Sequence, residues 1–445
     1  WWKSRGDLML KTLRNAFSVK DIRDRIISTF LMLVVIRIGS QLPVPGVNGD
    51  VFRSWFQTQM AGLGFFDAIT GGSFLSMSVF ALNITPYITS SIIMQLLTIA
   101  IPALEELQKD GEDGRKKIAE ITRYLTVGLA LFEASAMTFG FWRSGYLAEK
   151  SVLTAITVVT ALTAGSAVLM WIGEQITEKG VGNGISIVLV INIISRIPAD
   201  MGNLWNQFVV GQGLTKGAIA VIIILAVIIG MVIFVIILQG GQRKIPVQYS
   251  KKMQGRKQVG GQQTHIPLKV NTSGVVPVIF AQSLLQTPVI LASLFGWGNG
   301  EGVGSEILKG LSQQNWCNPK APIYTVGLFV YILLIIGFAY FYTQISFNPV
   351  EIANNMKKAG GFIPGMRPGK TTSDYLSQVL NYIVFIGAIG LTIIAIIPIF
   401  FSGVFGASVS FAGTSLIIVV GVVIETIKQI ESQMRVRYYK GFLND

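Results

Sequence analysis

Nine separate apolar stretches dominate the chain, at 26–42, 77–101, 121–141, 152–172, 217–238, 274–295, 323–345, 376–400 and 411–430. A bilayer core of ~30 Å is crossed by a helix of about 20 such residues. Lipid offers the backbone no hydrogen-bond partner, so each stretch must close its own bonds as a helix. Composition agrees: 51% of the 445 residues are apolar and 13% are charged. A soluble domain carries roughly 25% charged residues. A disordered chain is poor in apolar residues, so this composition excludes one.

A tenth stretch, 181–197, is short and contains Asn183, Asn192 and Arg196. Charge argues for counting it. The basic segments are 1–25 with seven Lys+Arg, 102–123 with five, 239–270 with seven, 346–375 with four and the tail beyond 426 with four. With the tenth span, these segments and Lys179 put 28 positive residues on one side and seven on the other. Without it, 239–270 moves to the opposite face. The positive-inside rule therefore predicts ten spans with both termini cytoplasmic. The same asymmetry accounts for the net charge of +13.

Catalytic chemistry finds no foothold. His265 is the only histidine and Cys317 the only cysteine, which excludes a His-rich metal site and an intrachain disulfide. No phosphate loop, nucleophile elbow or zinc-protease helix occurs. The expectation is a protein that is not an enzyme, with no catalytic residues, no metal and no cofactor. Glu133 is the only carboxylate deep in a span. It reads either as a polar contact between helices or as a proton-coupling site. The second reading gives the alternative function, a secondary transporter for a small solute, which normally needs more polar groups at mid-membrane.

Uncharged polar residues recur in two spans: Thr85, Thr89 and Gln95 in the second, Gln282, Gln286 and Thr287 in the seventh. Pro86, Pro277 and Pro288 lie in the same spans and weaken their helices locally. These residues make ordinary interhelical bonds, or they line a seam that must open. Residues 61–76, AGLGFFDAITGGSFLS, are apolar but too short to cross. They lie in the outer interface or fold back into the bundle. Residues 9–22 read as an amphipathic surface helix or as a basic flank to the first span. The segments 239–270 and 346–375 are long, basic and rich in Gly and Pro. Beyond setting topology, they suit docking of a large anionic partner such as RNA, or of an acidic protein surface.

Several strings together resemble the bacterial SecY family, the central channel subunit of the general protein-secretion translocon. They are RIGSQLPVPGV (37–47), TGGSFLSMSVFALNITPYITSSIIMQLL (70–97), GEDGRKKIAEITRY (111–124), MWIGEQITEKGVGNGISI (170–187), THIPLKVNTSGVVPVIFAQS (264–283), FNPVEIANNMKKAGGFIPGMRPGKTT (347–372) and AGTSLIIVV (412–420). The resemblance covers residues 9–445.

The resemblance implies an all-α polytopic membrane protein. Its ten transmembrane helices form two inverted, pseudo-symmetric halves of five, a clam shell around a central pore with a re-entrant plug. The expected layout is a cytoplasmic N-terminal segment (1–25), an N-terminal half (26–198), an outer inter-half loop (199–216), a C-terminal half (217–432) and a cytoplasmic tail (433–445). The plug maps to about 61–76, with Gly64, Phe65, Phe66, Asp67, Gly71 and Gly72. The pore ring maps to Ile84, Ile88, Ile185, Leu189, Ile279 and Ile418. The lateral gate lies between spans two and seven, at Thr89, Gln95, Gln282, Gln286 and Thr287. Docking of motor or ribosome maps to Arg243, Lys244, Arg256, Lys257, Lys357, Lys358 and Arg367.

The implied function is passage of unfolded secretory polypeptides across the membrane and release of transmembrane segments into lipid. Signal sequences gate it, and a cytosolic motor ATPase or the ribosome drives it. Implied partners are the small membrane subunits SecE and SecG, the motor SecA, ribosomal RNA, signal peptides, unfolded preproteins and lipid, in a bacterial cell membrane. The 295–322 segment matches none of these strings, and Cys317 within it has no assigned role.

Overall fold

The structure is a computed structural model. It describes residues 17, 19–49, 51–54, 70–210, 214–249, 252–254, 257–259, 263–295, 303–317, 319, 321–405 and 414–441. The first helices are α1 (Lys20–Gly39), α2 (Thr85–Ala100), α3 (Pro102–Lys109), α4 (Glu112–Ser144), α5 (Val152–Lys179) and α6 (Gly184–Phe208). Then come α7 (Leu214–Gly240), β1 (Gln242–Tyr249), β2 (Lys252–Gln254), β3 (Lys257–Val259), β4 (Gln263–Lys269) and α8 (Val276–Phe295). The chain continues through α9 (Val303–Leu311), α10 (Val326–Ser346), α11 (Pro349–Lys358), β5 (Gly361–Phe362), α12 (Lys370–Phe405) and α13 (Thr414–Gly441).

Among the described residues, ten helices have 16 or more residues, one for each expected span. Six are long and apolar enough to cross a membrane by length and composition alone: α4, α5, α6, α7, α10 and α12. A seventh span results if α2 and α3, bent by 103° at Ile101, count as one. Two others fall short for visible reasons: Lys20, Asp21, Arg23, Asp24 and Arg25 crowd the start of α1, and Glu425, Lys428 and Glu431 interrupt α13.

The doubtful 181–197 stretch is the start of a full 25-residue helix, α6. Asn183 caps it, its side chain accepting from the Ser186 amide. Arg196 pairs with Asp200 one turn on, Nε to Oδ1 at 3.8 Å. The sequence run ended early because this ion pair and Pro198 hide the helix's continuation. The second span also differs from its expected limits. Residues 71–84 form turns, and α2 begins at Thr85 with Pro86 in its first turn. Left-handed backbone at Gly71, Gly72, Met77 and Asn83 is incompatible with a helix there.

The two sets of five long helices pack alike. In the first, α2 packs on α4, α4 on α5, and α1 on both α5 and α6. In the second, α8 packs on α10, α10 on α12, and α7 on both α12 and α13. A glycine contact repeats as well. A Cβ on Gly165 of α5 would collide with the Val79 carbonyl, and one on Gly387 of α12 with the Val270 carbonyl. In each set the fourth long helix thus lies flush against the segment leading into the second.

The basic 239–270 segment holds a sheet that its Gly and Pro content concealed. β1 lies between β4 and β5, antiparallel to both. Ile245, Val247 and Leu268 are buried against Met356, Ile363 and Leu376. That period-two burial is what makes these residues strands. Pro246 is tolerated because β5 pairs only with Gln248 and Tyr249, leaving the Pro246 edge unpaired on that side.

Candidate functional site

Two apolar clusters meet between the halves. Leu189 and Ile193 of α6 pack with Ile418 of α13, and Ile88 of α2 and Ile279 of α8 join them. The adjoining cluster holds Ile84 with Ile36, Phe80, Leu169, Ile172, Ile176 and Val188, and takes in Ile185. Ile88 belongs to both. Four of the six expected ring residues therefore converge directly, from four helices. Ile84, which is fully buried, and Ile185 sit one layer into the first half and touch the others through Ile88.

Beside the constriction runs a buried polar chain that the sequence analysis did not assign. Asn192 of α6 donates its Nδ2 hydrogen to Asn83 Oδ1 at 3.1 Å. Arg37 of α1 donates to Asn192 Oδ1 at 3.5 Å, and Ser166 Oγ of α5 donates to the Asn83 carbonyl at 3.1 Å. Three helices are thereby tied to the turn preceding α2. Gly71 lies against the same place, its carbonyl accepting from Ser195 Oγ at 3.5 Å. A Cβ there would press on the Asn192 backbone. The isolated Asn192 in an apolar stretch was the signal for this chain.

Residues 70–76 fold inward: Ser73 and Leu75 are buried, Leu75 in the core shared by α4 and α5. Gly71 and Gly72 open that segment, whereas Gly64, Phe65, Phe66 and Asp67 lie outside the described residues. At the expected seam, Thr89 and Gln95 are half-buried on α2. Gln282 of α8 is buried and donates Nε2 to Gln313 Oε1 at 3.2 Å. Gln286 and Thr287 lie on α8, and their side chains are outside what the structure describes. Glu133 makes no hydrogen bond or ion pair among the described residues.

The two sides of the constriction are packed unequally. On one, α6 packs along α13 and α7. On the other, α8 packs on α4 rather than closely along α2.

The basic residues stand at the far end of α12 and the sheet. Arg243 and Lys244 are exposed on β1, and Lys357 and Lys358 are exposed at the end of α11. Arg367 is exposed between Gly365 and Gly369, both left-handed, and its carbonyl accepts from Thr372 Oγ1 at 2.9 Å. Lys257 lies on β3 paired to Gln254, and Arg256 falls outside the described residues. Pairing of β1 with β5 brings both basic segments into one sheet.

Two similarly packed sets of long apolar helices that meet at an aliphatic cluster define a multi-helix membrane protein. The SecY family profile matches residues 78–427. The protein translocase subunit SecY of Bacillus subtilis (strain 168) is 45% identical over 449 residues, covering 98% of this chain and 100% of that protein. That of Halalkalibacterium halodurans is 43% identical over 442 residues, with 98% and 100% covered. A solved structure described as Sec61 in the canine ribosome-channel complex from the endoplasmic reticulum shares the fold at TM-score 0.59 and 19% identity, over 93% of this chain and 92% of that one. The chain belongs to the SecY family. It is a multi-pass membrane protein, and its function is that of a protein-conducting translocation channel.

Proposed function

We propose that unfolded polypeptide passes between the two halves, through the ring formed by Ile84, Ile88, Ile185, Leu189, Ile279 and Ile418. The observation that carries this is the convergence of Ile88, Leu189, Ile279 and Ile418 from helices of both halves. An aliphatic gasket yields to any side chain and holds none, while a narrow apolar constriction excludes ions by dewetting. All ten long helices span the membrane as two inverted halves of five, a reading supported by their matching packing and glycine contacts. Both termini and the basic sheet face the cytoplasm of a bacterial cell, by the positive-inside rule.

In this reading the halves hinge where α6 meets α13 and α7, and part between α2 and α8. A signal sequence intercalates at that parting, where Thr89, Gln95, Gln282, Gln286 and Thr287 offer weak polar contacts. An apolar segment then leaves sideways into lipid. Residues 61–76 plug the resting pore and hinge at Gly71 and Gly72.

Directional energy comes from outside the chain. Arg243, Lys244, Arg256, Lys257, Lys357, Lys358 and Arg367 dock the motor ATPase SecA or ribosomal RNA, where phosphate contacts bind strongly without reading sequence. SecE and SecG cover part of the apolar outer surface. A photo-crosslinking side chain at Ile279 tests the route. With a precursor arrested midway by a folded tail, it is expected to capture the mature part of the precursor. Capture only from lipid-facing positions such as Ile222 would remove the proposal.

A further inference from the structure

Residues 303–317, matched by none of the family strings, fold over the start of α10. α9 is tied there at Glu306, which accepts from Lys309 Nζ at 2.9 Å and from the Tyr324 hydroxyl at 2.6 Å. Beyond α9 the chain turns back. Asn315 Nδ2 donates to the Lys309 carbonyl at 2.8 Å, and Trp316 Nε1 to the Gly310 carbonyl at 2.7 Å. Trp316 is buried, its ring 5.5 Å from that of Tyr331 on α10. Two glycines make room for it. A Cβ on Gly327 of α10 would collide with the Trp316 ring and the Gly310 carbonyl, and one on Gly403 of α12 with the Trp316 carbonyl. α9 is therefore fixed in place against α10.

The fixed helix has two unlike flanks. Leu311 packs into the core that holds Trp316, Leu328 and Tyr331. Ile307 lies one turn before Leu311 on the same flank. It nevertheless stays 58% exposed. Glu306 and Lys309 share the other flank, where their ion pair is exposed. The apolar flank thus runs out of the core and past its edge at Ile307.

A second residue continues this surface. Pro322–Thr325 form one 3-10 turn leading into α10, and Ile323 within it is 74% exposed. Side chains three apart eclipse in such a turn, so Ile323 falls in line with Val326. Val330 and Leu333 follow on the same face of α10, and all three are exposed. The candidate span that contains α10 begins at Pro322. The exposed apolar face of a spanning helix meets lipid. Ile323 carries that lipid-facing stripe to the point where Tyr324 holds α9.

We infer that α9 and the turn before α10 form an interfacial foot seated on the bilayer. Ile307 and Ile323 enter the boundary between headgroups and acyl chains, and Lys309 stays among the headgroups. Lipid is the occupant because this surface is continuous with the lipid-facing stripe of α10. An exposed ion pair borders its apolar flank, the arrangement of a helix lying in the interface plane. Because α9 is fixed to α10, the foot sets the depth at which α10 enters the membrane.

Nitroxide collision measurements test this. The full-length chain carries Cys317→Ser and one labelled cysteine at a time, in nanodiscs of phosphatidylcholine and phosphatidylglycerol. The positions are Ile307→Cys, Ile323→Cys, Lys309→Cys and Leu333→Cys. Molecular oxygen concentrates among acyl chains, and a neutral nickel chelate stays in water. The oxygen-to-nickel collision ratio at Ile307→Cys and Ile323→Cys is expected severalfold above that at Lys309→Cys, and below that at Leu333→Cys. Lys309→Cys leaves the Tyr324 bond to Glu306 in place, so α9 keeps its anchor.

Equal ratios at Ile307→Cys and Lys309→Cys would overturn the foot. So would shielding of Ile307→Cys from both reagents, which means that protein covers it. A nickel-dominated ratio at Leu333→Cys would instead overturn the membrane crossing of α10, on which the foot rests.

Discussion

Asn192 and Asn83, both almost fully buried, are joined by one side-chain hydrogen bond of 3.1 Å between α6 and the turn before α2. Asn83 holds a left-handed backbone, φ 53°, which asparagine tolerates better than most residues. Replacing Asn192 with Leu removes the donor to Asn83 and the acceptor of Arg37. A loss of about 1–3 kcal/mol is expected, seen as earlier thermal unfolding of the detergent-purified chain. Asn83→Gly should cost less than Asn83→Val, because only the second adds backbone strain.

The repeated glycine contact predicts a paired defect. Gly165→Ala and Gly387→Ala each place a methyl group against a carbonyl that cannot retreat without moving a helix. Each is expected to destabilise by about 1–3 kcal/mol. Gly230→Ala on α7 meets open space and should be neutral or better. Thermal unfolding of the three variants side by side checks this ranking.

Acid should loosen α9. Hydrogen bonds from Lys309 and then Tyr324 hold the Glu306 carboxyl below its ordinary pKa of 4.5. A depressed carboxylate contributes its anchoring fully above the ordinary value and loses it as pH falls through the lowered one. Amide protection over 303–325, taken relative to the intrinsic exchange rate at each pH, is therefore expected to hold from neutral pH down to 4.5 and to fall only below it. Glu306→Gln should exchange faster at neutral pH and show no acid step.

The constriction should leak when hollowed. Replacing Ile88 and Ile279 with Gly together removes side chains from two of the four converging helices. Raised ion conductance in planar bilayers is the expected outcome, and unchanged conductance would argue that the ring does not seal the pore.

The solute-transporter alternative finds no support, because the family match accounts for the function without Glu133. Glu133→Gln is therefore expected to leave precursor export unchanged, the carboxylate making no hydrogen bond or ion pair among the described residues. Export of an intact precursor by the variant, measured beside the parent chain, checks this.

The multi-helix membrane architecture was legible because apolar length, loop charge and family strings are local signals. Ile88, Leu189, Ile279 and Ile418 could be located from them, and the structure brings these four together. The basic sheet was hidden because Pro246 and Pro267 mask the alternation of Ile245, Val247, Ile266 and Leu268. The Asn83–Asn192 bond joins residues 109 positions apart, a separation no local pattern reveals. The seat of Trp316 was hidden for the same reason: it depends on glycines in two distant helices.

The pairing of Tyr249 with Gly361 makes one plate of two basic projections. Its buried face is bolted to Leu376, Val379 and Ile383 of α12. Its β4 edge runs through Val270 into the first turn of α8, and Gly387 braces that corner. A load placed on either projection is thus shared by both and passes toward the foot of α8, which in the proposed channel would make pushing at the tip and prying at the lateral opening one mechanical act.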